Sequence, residues 1–240
     1  MKAYALKAVR EAKQETSWTN VNEPYEAALQ EFVGKLLDEK LSSRFLVSFK
    51  KFAVRTSLLG ALNSLSQLAL KALLPGVPDF YQGTEVWDLA FVDPDNRRPI
   101  DFDLRRHALG EDADFSRLAA HWHDGGIKLA LTRQLLRLRL RYPDLFQRGS
   151  YEPLTVDGPQ AEHVIAFSRS FKHERLIVAV CRHFASLTNG GRQWPSGWDG
   201  VVKAPSGRYE PLIGGDRVPI DGLKLAALFQ YLPVNALRKV

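Results

Sequence analysis

Apolar positions divide the 240-residue chain into a helical first part and a strand-rich last part. Residues 2 to 14 read as a helix. Asn22-Glu23-Pro24 opens a second that runs toward Asp38, with Pro24 near its first turn, where a missing N–H costs nothing. A long third helix, from about Ser43 to Leu73, carries Phe45, Phe49, Phe52, Leu58, Leu59, Leu62, Leu65 and Leu68. These are too many for a single apolar stripe, so most of the helix is expected to be buried on more than one side. Gly76-Val77-Pro78 ends it, and Val77 to Tyr81 reads as a short buried strand. Beyond an acidic, proline-punctuated loop, residues 127 to 148 bring Leu131, Leu135 and Leu138, and also Ala130, Leu136 and Leu140, to helical spacing. The arginines between them are expected to face solvent or neighbouring acids.

From Tyr151 the period changes. VIAFSRS (164 to 170) and RLIVAVCRHF (175 to 184) are strand-like, with His173-Glu174 in the turn between them. GWDGVVKAP and GRYEPLIGG follow, and AALFQYL reads as a closing strand. Short strands at hairpin spacing predict an antiparallel sheet or sandwich. The order is therefore helices, one strand, a helix, then an all-β module. A strand followed by a long loop and a helix is one unit of a β/α barrel, whose functional loops follow the strand C-termini.

Composition narrows the picture without sharpening it. The net charge of +6 raises the question of nucleic acid, but the basic stretch from Ile127 to Arg148 lacks interleaved surface aromatics and any RNA or DNA motif. It reads as the solvated face of an amphipathic helix. No apolar run reaches the roughly 20 residues of a membrane span, and the first residues do not read as a signal peptide. The single cysteine, Cys181, lies in an apolar strand, which predicts a core position and fits a cytoplasmic protein.

The chemistry concentrates between Pro75 and Asp103, where seven carboxylates lie close together. Acids and arginines in the loop Gln82 to Asp103 can hydrogen-bond hydroxyl groups, and Tyr81, Trp87 and Phe91 can stack on the apolar face of a sugar. On residue types alone a second reading stands beside this one: Asp93-Pro94-Asp95-Asn96 as a turn whose side chains cap their own backbone, with Arg97 paired locally. His121, His123 and Asp124 lack a third clear metal ligand, and the tryptophan and glycines around them predict a loop leading into a helix. Asp79 with Glu85, or Asp93 with Asp101, could form a carboxylate pair, but nothing in the sequence marks either acid as perturbed. No G-x-S-x-G elbow supports serine catalysis.

The run Gly76-Val77-Pro78-Asp79-Phe80-Tyr81-Gln82-Gly83-Thr84-Glu85 resembles the eighth barrel strand of the α-amylase superfamily. Its continuation, Trp87-Asp88-Leu89 and Val92-Asp93-Pro94-Asp95-Asn96-Arg97-Arg98-Pro99, is similar to the maltooligosyltrehalose synthase family within it. So are Arg10-Glu11-Ala12-Lys13, Thr16-Ser17-Trp18, Asn22-Glu23-Pro24-Tyr25-Glu26 and Leu62-Asn63-Ser64-Leu65-Ser66-Gln67. Trp122-His123-Asp124-Gly125-Gly126-Ile127-Lys128 and Gly149-Ser150-Tyr151-Glu152-Pro153-Leu154 extend the resemblance into the last barrel helix and the entry to a β domain.

The resemblance implies an α+β chain: a helical insertion (1–42), the last part of a (β/α)8 catalytic barrel (43–145) and a sandwich-like antiparallel β domain (146–240). It implies an enzyme that converts the reducing-end α-1,4 linkage of a maltooligosaccharide to an α,α-1,1 linkage by intramolecular transglycosylation, a chemistry needing no metal or organic cofactor. In that family the nucleophile, acid/base and stabilising aspartate come from earlier strands. This chain is therefore expected to hold no catalytic residue, and to be inactive alone. Asp93 and Arg97 are the expected substrate-positioning residues, with Asn96, Arg98, Tyr81 and Gln82 of second rank, and Glu85 as a brace for the loop that borders substrate. The expected partner is a maltooligosaccharide or α-glucan, with no nucleic acid and no membrane. Two further readings remain: another α-amylase-superfamily hydrolase or transglycosylase, and a non-catalytic glucan-binding module.

Overall fold

The computed structural model describes residues 1–90, 99–109, 113–213, 220, 221 and 223–239. Two compact units divide it, one built on Met1–Arg55, the other on Thr56–Leu89 and the described residues from 99 onward. The division falls inside one helix.

The first unit contains α1 (Lys2–Ala12), α2 (Glu23–Leu36) and the start of α3 (Ser43–Leu73). Helix α2 begins where the sequence places it: the Asn22 side chain accepts from the Tyr25 backbone N–H at 3.3 Å, with Pro24 in the first turn. The hairpin is held by a polar knot. Arg10 donates through Nε to Glu26 Oε1 (2.8 Å) and through Nη2 to Glu26 Oε2 (2.6 Å). Thr16 Oγ1 donates to Glu26 Oε1 at 2.6 Å and accepts from the Asn22 N–H at 3.0 Å. The Arg10 hydrogen bonds, then the Thr16 one, hold the Glu26 carboxyl down at about 2.

Helix α3 corrects one expectation. Leu58, Leu62, Leu65 and Leu68 are buried, but Phe45, Phe49 and Phe52 are 43, 47 and 61% exposed. Helical spacing states which residues share a face; whether a face is covered depends on a partner surface that spacing does not specify.

The second unit adds α4 (Phe102–Leu109), α5 (Phe115–Ala120), α6 (Gly126–Arg141) and α7 (Pro143–Arg148). Next come β1 (Ser150–Leu154), β2 (Val156–Asp157), β3 (Val164–Phe171), β4 (Glu174–Cys181), α8 (Phe184–Leu187), β5 (Val201–Val202), β6 (Arg208–Pro211), β7 (Ile220–Asp221), α9 (Leu225–Leu228) and β8 (Val234–Lys239). Six strands form an antiparallel sheet in the order β1-β3-β4-β8-β6-β7.

Strands β3 and β4 are apolar on both faces because the sheet is covered on both. Phe167, Leu176, Val178 and Val180 pack with α3, α6 and α7 residues such as Leu65, Leu131 and Phe146. Val164, Ala166, Ile177, Ala179 and Cys181 pack with Leu58, Leu62, Phe184, Leu225 and Phe229. Cys181 is fully buried, as expected, and burial pushes its thiol well up. The second face is thus not the second sheet that a sandwich implies. It is made of short helices, loops and the two-residue ladder β2–β5, because Gly190, Gly191, Pro195, Gly197 and Gly200 interrupt the backbone there. The expected closing strand AALFQYL is likewise a short helix and turn, and the last strand is β8.

Two other departures concern the middle of the chain. Residues 77–81 join no strand, and Val77 is 98% exposed, since a strand exists only through ladder bonds to a neighbour. In α6, Leu131, Leu135 and Leu138 are buried, while Leu136 and Leu140 are 42 and 81% exposed. Not all of its arginines reach for solvent or acids. Arg139 donates to the Ala72 carbonyl at 2.7 Å and Arg133 to that of Leu109.

Arg169, on β3, is 1% exposed, lies 5.9 Å from the Phe146 ring centroid and directs its hydrogen bonds to backbone carbonyls. Its Nε donates to Ser150 O (2.8 Å), Nη1 to Leu73 O (3.1 Å), and Nη2 to Leu145, Phe146 and Gly149 O (3.1, 3.3 and 3.2 Å). Burial, then the nearby charge of Arg139, lowers its pKa from the usual arginine value.

Two outcomes follow from these contacts. Arg169→Met keeps the apolar stem but leaves buried carbonyls without a donor, and should lower unfolding stability by about 3 kcal/mol or more in urea titrations; a loss under about 1 kcal/mol would show that water replaces the guanidinium. The Glu26 contribution depends on pH with a fixed sign. Its folded carboxyl pKa is depressed, so the stabilisation is complete above the ordinary carboxylate pKa near 4.5 and is lost as pH falls toward about 2. Amide protection factors of the α1–α2 hairpin, corrected for the intrinsic pH dependence of exchange, should therefore fall through that window in the parent, and the step should vanish in Glu26→Gln.

Candidate functional site

The second unit contains a cleft of about 510 Å³ between the last turns of α3, the segment 79–85 and the start of α6. Ser64, Gln67 and Lys71 line it from α3, Asp79, Tyr81 and Glu85 from the segment, and Lys128 and Thr132 from α6. On α3, Ser64, Gln67, Leu68 and Lys71 recur at three- and four-residue steps, which puts them on one face. Lys128 and Thr132 are one turn apart on α6, and the Thr132 hydroxyl donates to the Lys128 carbonyl at 2.8 Å.

The floor of the cleft is a tight loop. Thr84 donates to the Tyr81 carbonyl through both its backbone N–H (3.2 Å) and its hydroxyl (2.6 Å). Gly83 has φ +91°, which calls for glycine; a Cβ there would lie 2.6 Å from Ile100 Cδ1, the movable end of a side chain. Glu85 Oε2 accepts from the Gly83 N–H (3.0 Å) and from Arg105 Nε (3.0 Å). Arg105 also donates to Gly83 O and Asp101 O, each at 2.9 Å. One carboxylate and one guanidinium thereby tie α4 to the loop. Gly125 (φ +81°) lets the turn before α6 approach the 86–87 backbone, where a Cβ would meet Trp87 N at 2.9 Å.

Two ammonium groups border the cleft. Lys71 Nζ lies 4.3 Å from the Phe80 ring centroid, and Lys128 Nζ donates to Val86 O at 3.2 Å. Burial, then the charge of Lys71, lowers the Lys128 pKa, opposed by Asp88 and Glu85. Donors, acceptors and the exposed Tyr81 ring together suit a neutral ligand rich in hydroxyl groups.

Tyr81 and Glu85 line the cleft, whereas Gln82 is exposed outside its lining. Asp93, Asn96, Arg97, Arg98 and Phe91 lie outside the described residues. Trp87 is not an open stacking face: its Nε1 donates to Trp122 O at 2.7 Å, and its ring meets Trp122 edge-on at 6.4 Å. The residues around His121 close the turn before α6, with His121 Nδ1 3.0 Å from Arg117 O, His123 stacked on Trp122 and Asp124 Oδ1 accepting from Gly126 N. Sequence reasoning missed Lys71 and Lys128. Lys128 had a signal, as the single charge within the otherwise uncharged run from Gly125 to Thr132.

No family profile matches the chain. It is 37% identical over 219 residues, 88% of its length, to a putative maltooligosyl trehalose synthase of Mycobacterium tuberculosis, of which it spans 25%. Among solved structures, maltooligosyltrehalose synthase from Arthrobacter ramosus superposes with a TM-score of 0.78 at 33% identity, over all of this chain and 30% of that one. A hypothetical maltooligosyl trehalose synthase of Sulfolobus tokodaii gives 0.70 at 30% identity, over 99% of this chain and 28% of its own. From end to end, then, this chain is similar in sequence and in fold to a segment of maltooligosyltrehalose synthases that makes up only a quarter to a third of their length.

Proposed function

We propose that the chain is the C-terminal portion of an enzyme converting the reducing-end α-1,4 linkage of a maltooligosaccharide to an α,α-1,1 linkage. The observation that carries this reading is the continuous similarity, over 219 residues, to one segment of maltooligosyl trehalose synthase. In the reaction a carboxylate attacks the anomeric carbon of the penultimate glucose while a carboxylic acid protonates the departing 4-oxygen of the terminal glucose. The freed glucose stays bound, turns, and attacks the glycosyl-enzyme through its anomeric hydroxyl, whose proton passes back to the same acid/base. Both carboxyls would come from barrel strands outside this chain, so the chain alone is inactive.

The segment at 77–81 fits the role of a barrel strand awaiting its neighbours: it joins no strand among the described residues, and Val77, Leu136 and Leu140 expose apolar side chains. In this reading 1–42 is an insertion, 43–145 completes the barrel and 146–240 is the β domain. Asp93 and Arg97 position one glucose through vicinal hydroxyls, assisted by Asn96, Arg98, Tyr81 and Gln82. The Glu85 bonds to Gly83 and Arg105 support its role as the brace of that loop.

The test joins the chain to the preceding region of the Arthrobacter ramosus enzyme and assays maltopentaose. The chimera should form a non-reducing product, and the 240-residue chain alone should not. Asp93→Ala and Arg97→Ala should each lower kcat/KM of the chimera about ten- to a hundredfold, the worth of one charged hydrogen bond in the transition state. Turnover by the isolated chain, or parental kcat/KM in both folded variants, would overturn the assignment.

A further inference from the structure

In the first unit one aromatic ring is both exposed and immobilised. Trp18 is 53% exposed, which alone means little, since single apolar side chains on a surface are common. What sets it apart is how it is held. Its Nε1 donates to Glu11 Oε1 at 3.0 Å, and the Arg10 guanidinium lies 5.0 Å from the ring centroid. Arg10 cannot swing away, because two bonds fix it to buried Glu26, which Thr16 holds in turn. The backbone on either side is closed too: Ser17 N–H donates to Asn20 O and Asn20 N–H to Ser17 Oγ, both at 2.9 Å. Residues of α1, the 13–22 connection and α2 thus converge on a side chain whose remaining surface faces solvent.

Fixing a ring that stays half exposed sacrifices rotamer entropy for an incomplete gain in burial. That arrangement suits recognition, where a ring already in place loses no freedom when a ligand stacks on it. We propose that Trp18 is a stacking platform for an α-1,4-glucan chain. The indole offers a flat apolar surface, and a glucose unit offers a matching C–H face. Glu11 meets the indole N–H, and Ser17, Thr19 and Asn20, next to Trp18 in sequence, add hydroxyl and amide groups able to bond sugar hydroxyls. A purely apolar ligand would gain nothing from those groups, and an anion would face Glu11. The glucan as ligand rests on the function proposed above; the platform rests on the Trp18 geometry.

The experiment follows the indole N–H resonances of the five tryptophans of the full 240-residue chain during titration with maltoheptaose. Trp18→Phe, which keeps an aromatic face, assigns the Trp18 signal by its disappearance. That signal is expected to shift saturably, and cellohexaose, whose β-1,4 chain is straight, to shift it far less. Trp18→Ala should weaken maltoheptaose binding about tenfold or more, read by calorimetry, while Tyr81→Ala in the cleft leaves the Trp18 shift in place. A Trp18 indole unmoved up to the solubility limit of the sugar overturns the platform, and this is read on the unmodified chain, independently of whether the alanine variant folds. Binding that is lost in Tyr81→Ala and kept in Trp18→Ala also overturns it, placing the glucan in the cleft and leaving the proposed function intact. Failure of the chimera to convert maltopentaose alongside a saturable Trp18 shift would instead retain the platform and overturn the reaction.

Discussion

The second unit is organised around a charge removed from water. Arg169 reaches from β3 to the carbonyls that end α3 and α7 and to the start of β1, and no carboxylate meets it among the described residues. Helices finish with carbonyls that lack an internal partner, and those ends carry partial negative charge. A planar guanidinium with several fixed donors can satisfy a group of them at once, which an ammonium cannot. The positions of two helix ends and one strand are therefore coupled through one side chain. Arg139 adds a second donor at the end of α3 and lies over the Phe146 ring at 4.8 Å, so the same corner gathers two cations with no acid paired to either among the described residues. The mutual repulsion is tolerated because carbonyl dipoles surround both.

The first unit solves its own problem differently. Its helices α1 and α2 lack fully buried apolar residues, and the one buried side chain of α2 is Glu26. A bidentate arginine and a threonine hydroxyl compensate its desolvation. The same knot holds the Arg10 guanidinium against the Trp18 ring. Stability in this unit is tied to the ionisation of a carboxylate, whereas in the second unit it is tied to burial on both faces of a sheet.

The acid-rich part of the sequence contributes Glu85 to the second unit. Glu85 is used internally, as the acceptor that closes the Gly83 turn and anchors α4 through Arg105. Its neighbour in the cleft, Lys128, keeps its ammonium under a lowered pKa with Val86 O and the Trp87 ring as company. The cleft thus combines a braced loop with walls that mix polar side chains and the apolar Leu68, Phe80 and Leu136.

Local order was legible in the chain itself. The Asn22-Glu23-Pro24 start of α2, the apolar runs of β3 and β4 and the core position of Cys181 follow from caps and periodicity, which act over a few residues. The motif spacing around Tyr81 and Asp93 likewise pointed to the relatives that the fold then matched. What the sequence could not state was which surfaces meet. Phe45, Phe49 and Phe52 read as core and stand exposed; residues 77–81 read as a strand and form none; the arginines of α6 read as solvated, and Arg139 caps a helix 67 positions upstream. Arg169 looked like one more charge in a strand, with nothing nearby in sequence to announce its role. Burial, strand pairing and the satisfaction of helix ends are relations between segments distant along the chain, so only the tertiary structure decides them, while the sequence alone determines what each segment is able to offer.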